Sequence, residues 1–346
     1  MEQKSKPIAV LISDIHFTLQ TLDTASLALK KAQLKAHDLE VPLVICGDTL
    51  DSKAIIRAEI ANRLIELLSV KDAPDTIVLV GNHDLCNERG KTHSLNFVKP
   101  YCTVIETMYY GRLAGLNVLM VPYQSDVTAL RQELLDVECY KDIVIMHQGL
   151  QGSDSGEYYQ DPTALNPEDV AHLRVISGHY HRRQTIDTGK GNKFDYIGNP
   201  YTLGFGEANH PEKGFQILMS DGSLEFVPTG LRKHIVIHIK VGDLDHPDLW
   251  QYDYQPGDLL WVKVSGQQAY LSDLTKAKVA DYMQLKEDFR LEVIPEETNT
   301  TFEMSNRTQT MKQEEVLDNL IASLTNTDQT RKERLQTMWK KLVQED

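Results

Sequence analysis

Five short motifs place metal-binding residue types directly after apolar runs of the sequence. In chain order they are Asp14-Ile15-His16, Gly47-Asp48, Gly81-Asn82-His83-Asp84, His147 and Gly178-His179-Tyr180-His181. Residues two apart in an extended segment face the same side. Asp14 and His16 can therefore converge on one ion, and so can His179 and His181. This mixture of carboxylate, amide and imidazole donors suits manganese, iron or zinc better than an all-oxygen calcium site. The set is large enough for two ions if one carboxylate bridges them.

The elements that must position these motifs are apolar runs alternating with amphipathic segments. Buried strands are predicted at Ile8–Ser13, Leu43–Gly47, Thr76–Gly81, Asn117–Pro122, Asp142–His147 and Val175–Gly178. Helices are predicted between them at Thr24–His37, Ala54–Ser69 and Asp126–Val137. This alternation is typical of a layered α/β fold. In such folds the carboxyl ends of the strands surround one crevice, so the motifs are expected to meet there.

The later part of the chain predicts more strands and a smaller module. Strands at Phe194–Ile197, Gly214–Met219 and Leu224–Val227, with a turn at Asp221-Gly222, favour a second sheet built from hairpins. After Leu231, strands are predicted at His234–Val241, Leu259–Val264 and Phe289–Pro295, with a helix at Asp273–Tyr282. These elements indicate a small α+β module. Glu296–Thr310 is polar and predicts a linker, and two amphipathic helices are predicted beyond it.

Composition indicates an ordinary soluble globular protein of 346 residues, 41% hydrophobic and 25% charged. No run reaches the roughly 18 apolar residues of a membrane helix, and the polar start Met1–Pro7 predicts no signal peptide. Four scattered cysteines without CxxC spacing argue against a disulfide framework and favour the reducing cytoplasm. The net charge of −14 is unusual for a protein that binds DNA unaided. Cations bound at a carboxylate cluster can still dominate the local field.

The ordered set DxH…GD…GNHD…H…GHxH resembles the calcineurin-like metallophosphoesterase superfamily over about residues 8 to 230. The resemblance implies a four-layer α/β/β/α sandwich that binds two divalent metal ions. It implies that one ion is held by Asp14, His16 and His181. It implies that the other ion is held by Asn82, His147 and His179, and that Asp48 bridges the two.

His83 is left over by this ligand assignment. It is placed to stabilise the pentacoordinate phosphorus or to protonate the leaving oxygen. In the Ser/Thr phosphatases of the superfamily, the second Asp of a GDxxD motif orients such a histidine, and Gly47-Asp48-Thr49-Leu50-Asp51 matches that motif. Asp51 is therefore predicted to orient His83. An acid at the N-terminus of the helix predicted from Ala54 explains Asp51 equally well.

Within the superfamily, the chain resembles the SbcD-type DNA nuclease subunits. The resemblance rests on Gly178–Gln184, on the Gly-Asn-Pro turn in Tyr196–Glu207, and on Lys213-Gly214-Phe215. It implies DNA as the substrate. Arg182 and Arg183 follow the predicted ligand His181 and are expected to contact substrate phosphates, although solvated surface arginines are the alternative. The compact length resembles the phage recombination nucleases of this family. Asp51 stands where these nucleases commonly carry a histidine, which leaves endonuclease or simpler phosphodiesterase activity open.

The parts after residue 230 extend this resemblance. Residues 1–230 would form the phosphoesterase domain, and 231–297 are similar in size and position to the SbcD capping domain, which contacts DNA. The helices in 298–346 would bind the coiled-coil base of an SbcC-like ATPase. They could instead pack on their own domain or mediate homodimerisation. SbcD-like nucleases usually dimerise through helices of the phosphoesterase domain, for which Ala54–Ser69 is one candidate.

The sequence-based hypothesis is thus a manganese-dependent DNA exo/endonuclease that works with an SbcC-like ATPase in break processing or recombination. One alternative is a stand-alone phosphatase or phosphodiesterase acting on a small molecule or a phosphoprotein, which the acidic charge favours. The other is a catalytically silent scaffold. The complete ligand set and His83 oppose that last alternative.

Overall fold

The computed structural model of the protein describes residues 5–87, 92–135, 143–154, 161–210, 212–246, 254–286 and 288–296. The helices predicted in 298–346, and the partner surface assigned to them, lie outside the described residues. No helix in the described part of the chain is long and apolar enough to cross a bilayer.

Strands and helices follow the apolar runs of the sequence closely. The strands are β1 (Pro7–Ile12), β2 (Leu43–Ile45), β3 (Thr76–Leu79), β4 (Thr103–Ile105), β5 (Tyr109–Leu113), β6 (Leu116–Val121), β7 (Ile143–His147), β8 (Val175–Gly178), β9 (Gln184–Gly189), β10 (Asn192–Tyr196), β11 (Gly214–Met219), β12 (Leu224–Pro228), β13 (His234–Lys240), β14 (Leu259–Gly266) and β15 (Phe289–Pro295). The helices are α1 (Leu22–Asp38), α2 (Ala58–Leu68), α3 (Val127–Leu135), α4 (Pro167–Val170), α5 (Gln268–Leu271) and α6 (Lys276–Met283).

The described strands form two six-stranded sheets and one three-stranded sheet. The first sheet has the order β12-β11-β1-β2-β3-β4, and β1 to β4 run parallel. The second has the order β5-β6-β7-β8-β10-β9, with β6, β7, β8 and β10 parallel. The carboxyl ends of the parallel strands carry the five motifs, so each sheet contributes one edge to a common crevice.

Alternating side chains of the two sheets build the layers. Leu11 of β1 and Ile145 of β7 belong to a core between the sheets, whereas Val10 faces a second core shared with α1 and α2. Val144 of β7 packs in a third core with α3. The predicted α/β/β/α sandwich is confirmed. Strands buried on both faces are expected to be continuously apolar, as these are.

One detail of the predicted topology is wrong. The strands Gly214–Met219 and Leu224–Pro228 form a hairpin, but this hairpin joins the first sheet through antiparallel pairing of β11 with β1. The second sheet instead takes up the earlier hairpin, β9–β10. Pairing between strands about 200 residues apart leaves no signal in local sequence.

Beyond residue 230, β13, β14 and β15 form a parallel sheet, here called the cap sheet. One face packs Ile237, Val262 and Val279 of α6 in a separate core. The register places Val236 beside Trp261, and Trp261 beside Arg290, on the opposite face. This face is turned toward the motif-bearing crevice through ring contacts of Trp261 with Phe205. The domain limits at residues 230 and 297 stay predictions.

Candidate metal centre

The loops after β1 and β2 are held together by main-chain hydrogen bonds. The N–H of Asp14 donates to the carbonyl of Gly47 at 3.1 Å, and that of His16 donates to the carbonyl of Asp48 at 3.1 Å. Three ligand-type residues here have left-handed φ values of 53° for Asp14, 49° for His16 and 50° for Asp48. Such values are costly for residues with a Cβ, so the cross-loop hydrogen bonds fix a strained backbone that turns the side chains into the crevice.

Two motif glycines are required by this close approach. A Cβ at Gly178 would collide with Ser13 Oγ and with the carbonyl of Cys46, and a Cβ at Gly47 would collide with the His147 ring. Gly47 also has a φ of 94°, which disfavours any other residue. Both glycines therefore let the ends of the two sheets meet.

The structure brings the first predicted ligand set together. Ligand atoms of Asp14, His16 and His181 lie within 4.8 Å of one another, and this set is called the outer group. The Nε2 atoms of His16 and His181 are 3.2 Å apart. The N–H of His179 donates to both carboxylate oxygens of Asp14, at 3.1 and 3.2 Å, and so fixes the orientation of that side chain.

The second predicted set also converges. Asn82, His147 and His179 are called the inner group. Asn82 Oδ1 is 3.0 Å from His147 Nε2 and 2.9 Å from His179 Nδ1. Ligand atoms of Asp48, His147 and His179 lie within 4.8 Å of one another. His147 ends strand β7 and is fully buried.

Asp48 lies between the two groups. Its Oδ2 atom is 3.2 Å from His147 Nε2 and 3.7 Å from His16 Nε2. Its Oδ1 atom accepts a hydrogen bond from the N–H of His83 at 2.8 Å. One carboxylate oxygen is thus fixed by the backbone, which leaves the other to face both groups, as a bridging ligand must.

Each of the four imidazoles has its second ring nitrogen beside an oxygen acceptor. His147 Nδ1 donates to the carbonyl of Cys46 at 2.8 Å, His179 Nε2 to Asp161 Oδ2 at 3.0 Å, and His181 Nδ1 to Glu207 Oε1 at 2.7 Å. His16 Nδ1 is 3.3 Å from Asp51 Oδ1, without the geometry of a good hydrogen bond. These contacts leave the other nitrogen of each neutral ring with its lone pair directed at the group, the tautomer that binds a metal.

In both groups, hydrogen-bond acceptor atoms face one another without a donor between them. This arrangement is the strongest sign that each group fits a cation. With neutral rings, the lone pairs of His147 and His179 both point at Asn82 Oδ1, and those of His16 and His181 point at each other. Two ligand atoms about 2.1 Å from one ion and at right angles to each other are about 3.0 Å apart. The observed separations of 2.9, 3.0 and 3.2 Å match that value. The donor set therefore fits two metal ions.

Electrostatics agree with this fit. Burial alone would raise the pKa of Asp48, but His147 and His16 hold it well below its usual range. Burial alone would lower the pKa of His147, but the Asp48 carboxylate raises it to about 9 in the metal-free protein. The centre thus attracts positive charge, which a metal ion supplies when it is bound.

His83 belongs to neither predicted ligand group, although its ring stands edge-on to His16 with centroids 4.8 Å apart. One ligand atom of His83 does lie within 4.8 Å of those of His16 and Asp51, so these three residues form a further cluster beside the outer group. Its Nδ1 donates to the main-chain carbonyl of Asp51 at 2.8 Å. The structure therefore differs from the predicted role of Asp51. The backbone of Asp51, rather than its carboxylate, holds His83, because the carboxylate turns toward His16. His83 keeps Nε2 for a group in the crevice.

Sequence reasoning missed three carboxylates of the centre. Asp161 and Glu207 orient imidazoles, and the buried Asp84 accepts hydrogen bonds from the N–H groups of Gly81 and Leu50. Asp84 stands inside the GNHD motif, which offered a signal. Asp161 lies in no motif, and Glu207 appeared only as part of the SbcD-like segment without a role.

A cleft of about 750 Å³ adjoins the centre. His179 and His181 line one side, and Trp261 and Lys263 of the cap sheet line the other. The two predicted phosphate-binding arginines differ here. Arg182 lines the cleft and pairs with Asp154, which lines it too.

Arg183 is turned elsewhere. It pairs with Glu212 at 2.5 Å and packs over the ring of Phe226, with its guanidinium carbon 4.4 Å from the centroid. It does not line the cleft that adjoins the centre, as far as the described residues define it. Arg182 is thus the better placed of the two for a substrate phosphate.

The calcineurin-like phosphoesterase family model matches residues 9–183, which span the five motifs up to Arg183. The chain belongs to this family. Members are metal-dependent hydrolases of phosphoesters that use two divalent metal ions. No curated protein matched the sequence.

Solved structures match at low identity. A dimetal phosphatase from Danio rerio is 12% identical, with a TM-score of 0.39 over 65% of this chain and 100% of that one. A novel archaeal phosphodiesterase is 14% identical, with a TM-score of 0.33 over 63% of this chain and 98% of that one. A 5'-nucleotidase precursor from Thermus thermophilus is 13% identical, with a TM-score of 0.36 over 63% of this chain and 53% of that one.

Proposed function

We propose that the protein is a manganese-dependent nuclease that hydrolyses phosphodiester bonds in DNA. The observation that carries the proposal is the cleft of about 750 Å³, which extends from His179 and His181 to the cap sheet. A phosphodiester in the centre would leave the rest of a DNA strand to follow this cleft. Trp261 and Lys263 on its cap side are an aromatic and a cation, the residue types that bind bases and phosphates.

The chemistry follows from the two groups and His83. The inner and outer groups with Asp48 would hold two cations, which would supply a water of lowered pKa for the attack and neutralise charge on the phosphoryl oxygens. Because Nδ1 of His83 donates to the Asp51 carbonyl, its Nε2 is available to the reacting phosphate or the leaving oxygen. Arg182 can bind a neighbouring phosphate if it exchanges its contact with Asp154.

The net charge of −14 favours a second candidate, a phosphatase or phosphodiesterase acting on a small molecule or phosphoprotein. A cleft of about 750 Å³ is also within the size range of small-ligand sites. The cap sheet supports DNA over this candidate, because it adds the aromatic Trp261 and the cation Lys263 to the cleft.

An SbcC-like ATPase and a second copy of this chain are proposed as partners, on the resemblance described above. The ATPase would bind the helices predicted in residues 298–346, and α2 would contribute to the dimer. Copurification of the full chain with the ATPase, compared with the same chain after replacement of Leu335 and Trp339 by Asp, tests the first partner. Equal recovery in both cases would argue against this surface.

The first test of the function is cleavage of end-labelled linear duplex and single-stranded DNA in manganese. Wild type and His83→Ala are compared, with the exposed His37→Ala as a matched control. Bis-para-nitrophenyl phosphate serves as a small diester. We expect wild type and the His37 variant to cut DNA and the His83 variant to fail. Hydrolysis of the small diester by wild type without any cutting of DNA would favour the small-molecule candidate.

A further inference from the structure

The carboxylate of Glu207 is held more firmly than an ordinary surface acid. It accepts hydrogen bonds from His181 Nδ1 at 2.7 Å, from Asn199 Nδ2 at 3.0 Å and from the N–H of Leu203 at 3.2 Å. Lys213, which is itself buried, approaches it at 2.9 Å. These partners leave Glu207 little freedom, so its position determines that of the His181 ring.

The segment that carries Glu207 is docked on the cap sheet. Phe205, two residues earlier, lies edge-on to the rings of His234 and Trp261, with centroids 4.8 and 5.4 Å away. The hydroxyl of Thr202 accepts the N–H of His234 at 2.9 Å and also contacts its Nδ1 at 2.9 Å. His234 of β13 and Trp261 of β14 thus hold the segment just before Glu207.

Among the described residues, the corresponding acid of the inner group contacts a different part of the chain. The carboxylate of Asp161 holds His179 and also accepts from the N–H and hydroxyl of Thr163, at 2.8 and 2.7 Å, and from the hydroxyl of Tyr180 at 3.4 Å. All of these partners lie before residue 183, far from the cap sheet in the chain. The two acids therefore do the same work for different ions, but these contacts tie only Glu207 to the cap.

We propose that Glu207 is a positioning residue that sets the affinity of the outer metal ion and links it to the cap sheet through Phe205. Asp161 sets the affinity of the inner ion without that link. An acceptor on the second nitrogen of a ligand histidine typically changes metal affinity by about 10- to 100-fold. The inference rests on the two-ion assignment of the proposed function and not on DNA as its substrate.

Manganese titration of the metal-free full chain by calorimetry tests the inference. Wild type is expected to bind two ions. Glu207→Gln should weaken one of them about 10- to 100-fold and Asp161→Asn the other by a similar factor. Phe205→Ala should weaken the same ion as Glu207→Gln, by about 3- to 10-fold, since it acts at one step further away. Tyr270→Ala, an exposed cap residue, is the matched control with wild-type binding.

Double variants identify the ion. With His16→Ala, which removes an outer ligand, Glu207→Gln should not change the affinity of the ion that remains. With Asn82→Ala, which removes an inner ligand, Glu207→Gln should weaken the binding of the ion that remains. Electron paramagnetic resonance gives a second readout, because at two equivalents of manganese the signal of isolated ions should replace that of a coupled pair in the Glu207 variant. Thermal unfolding without metal checks that each variant is folded.

The possible results distinguish failure of the positioning role, of the link to the cap sheet and of the two-ion assignment. The positioning role would be overturned if folded Glu207→Gln bound both ions with wild-type affinity. It would also be overturned if Glu207→Gln and Asp161→Asn weakened the binding of the same ion. Wild-type binding in Phe205→Ala would overturn the link to the cap. Failure of wild type to bind two ions would instead remove the two-metal assignment, and with it the proposed function.

Discussion

The inner and outer groups use similar ligands but differ in what holds them. His147 of the inner group ends a central strand, is fully buried, and is oriented by the main-chain carbonyl of Cys46 next to β2. His181 of the outer group is 33% exposed and is oriented by Glu207, the last residue of a short 3-10 helix outside the sheets. His16 likewise faces the half-exposed Asp51. His147 of the inner group is thus held by a sheet end, whereas both histidines of the outer group face carboxylates that lie outside the sheets.

This difference indicates unequal behaviour toward metal. Sheet ends in a packed core open rarely, while loop-held side chains fluctuate at lower free-energy cost. The inner ion is therefore expected to be the tighter and the outer ion the one that exchanges first during chelation. Four substitutions test this expectation, in order of decreasing predicted effect.

Removing Asp48, which faces both groups, should weaken the binding of both ions and so remove the difference between the inner and outer ion. Asp48→Asn keeps an acceptor for the His83 N–H but removes the charge that faces both groups. We expect activity on the small diester to fall by about 10⁴-fold or more, because both cations lose their common ligand. Initial rates in manganese and the metal content of the purified variant measure this. Activity within about tenfold of wild type would show that Asp48 does not bridge.

His83→Ala should lower the catalytic rate without changing metal binding by either group. Since His83 is in neither group, both ions should bind as in wild type while kcat falls by about 10²- to 10³-fold. Calorimetry with manganese and steady-state kinetics on the small diester are measured on the same preparation. Loss of an ion in this variant would make His83 a ligand and overturn its assignment as an acid or electrostatic stabiliser.

Stability against pH tests the acid that holds the outer group. Burial alone would raise the pKa of Glu207, but His181 and Lys213 lower it from 4.5 to about 2. A carboxyl with a lowered folded pKa stabilises the protein above its unfolded pKa, and this stabilisation is lost as the pH falls from about 4.5 toward 2. The shift corresponds to a contribution on the order of 3 kcal/mol at neutral pH.

Urea unfolding of the metal-free protein checks this window. The free energy of unfolding of wild type should exceed that of Glu207→Gln at about pH 6, and the difference should shrink toward about pH 3.5. The exposed Glu40→Gln is the control variant. A difference that stays constant with pH would mean that the substitution acts through packing and not through charge.

The smallest effect is expected at the two arginines beside the outer group. Arg182→Ala should weaken binding of a single-stranded oligonucleotide by several-fold and reduce the slope of log affinity against log salt by about one. Arg183→Ala should change neither, because Arg183 is engaged with Glu212 and Phe226. Fluorescence anisotropy over a range of salt measures both. Equal effects of the two substitutions would contradict the different placement described above.

Much of the fold and centre could be predicted because local signals coincided. Val175–Gly178, for example, is a short apolar run ending in glycine, and the next residues are of metal-binding type. Burial on both faces makes such strands apolar throughout, and a strand end fixes where the following side chains lie. The residues of the inner and outer groups could therefore be identified in sequence order, and their role as metal ligands stays a prediction.

The remainder depended on contacts that no local pattern records. Tyr109–Leu113 is a largely exposed edge strand and carries too few buried positions to be noticed. Asp161 and Glu207 reach their histidines through chain folding across 18 and 26 residues. The GDxxD motif predicts a carboxylate contact of Asp51 with His83, whereas the structure shows a contact through the main-chain carbonyl, which residue type cannot reveal.

The left-handed backbone at Asp14, His16, Asp48 and His179 has an evolutionary consequence. Each such residue costs about 1 kcal/mol or more relative to a glycine, so these four positions lower the stability of the fold in exchange for their side chains. A lineage released from selection for catalysis would gain most from glycine at His16 or His179, because glycine at Asp14 or Asp48 would also remove the carboxylate acceptor of the His179 or His83 N–H. Loss of the ligands would then be favoured by folding itself, and an inactive descendant should melt at a higher temperature than this protein.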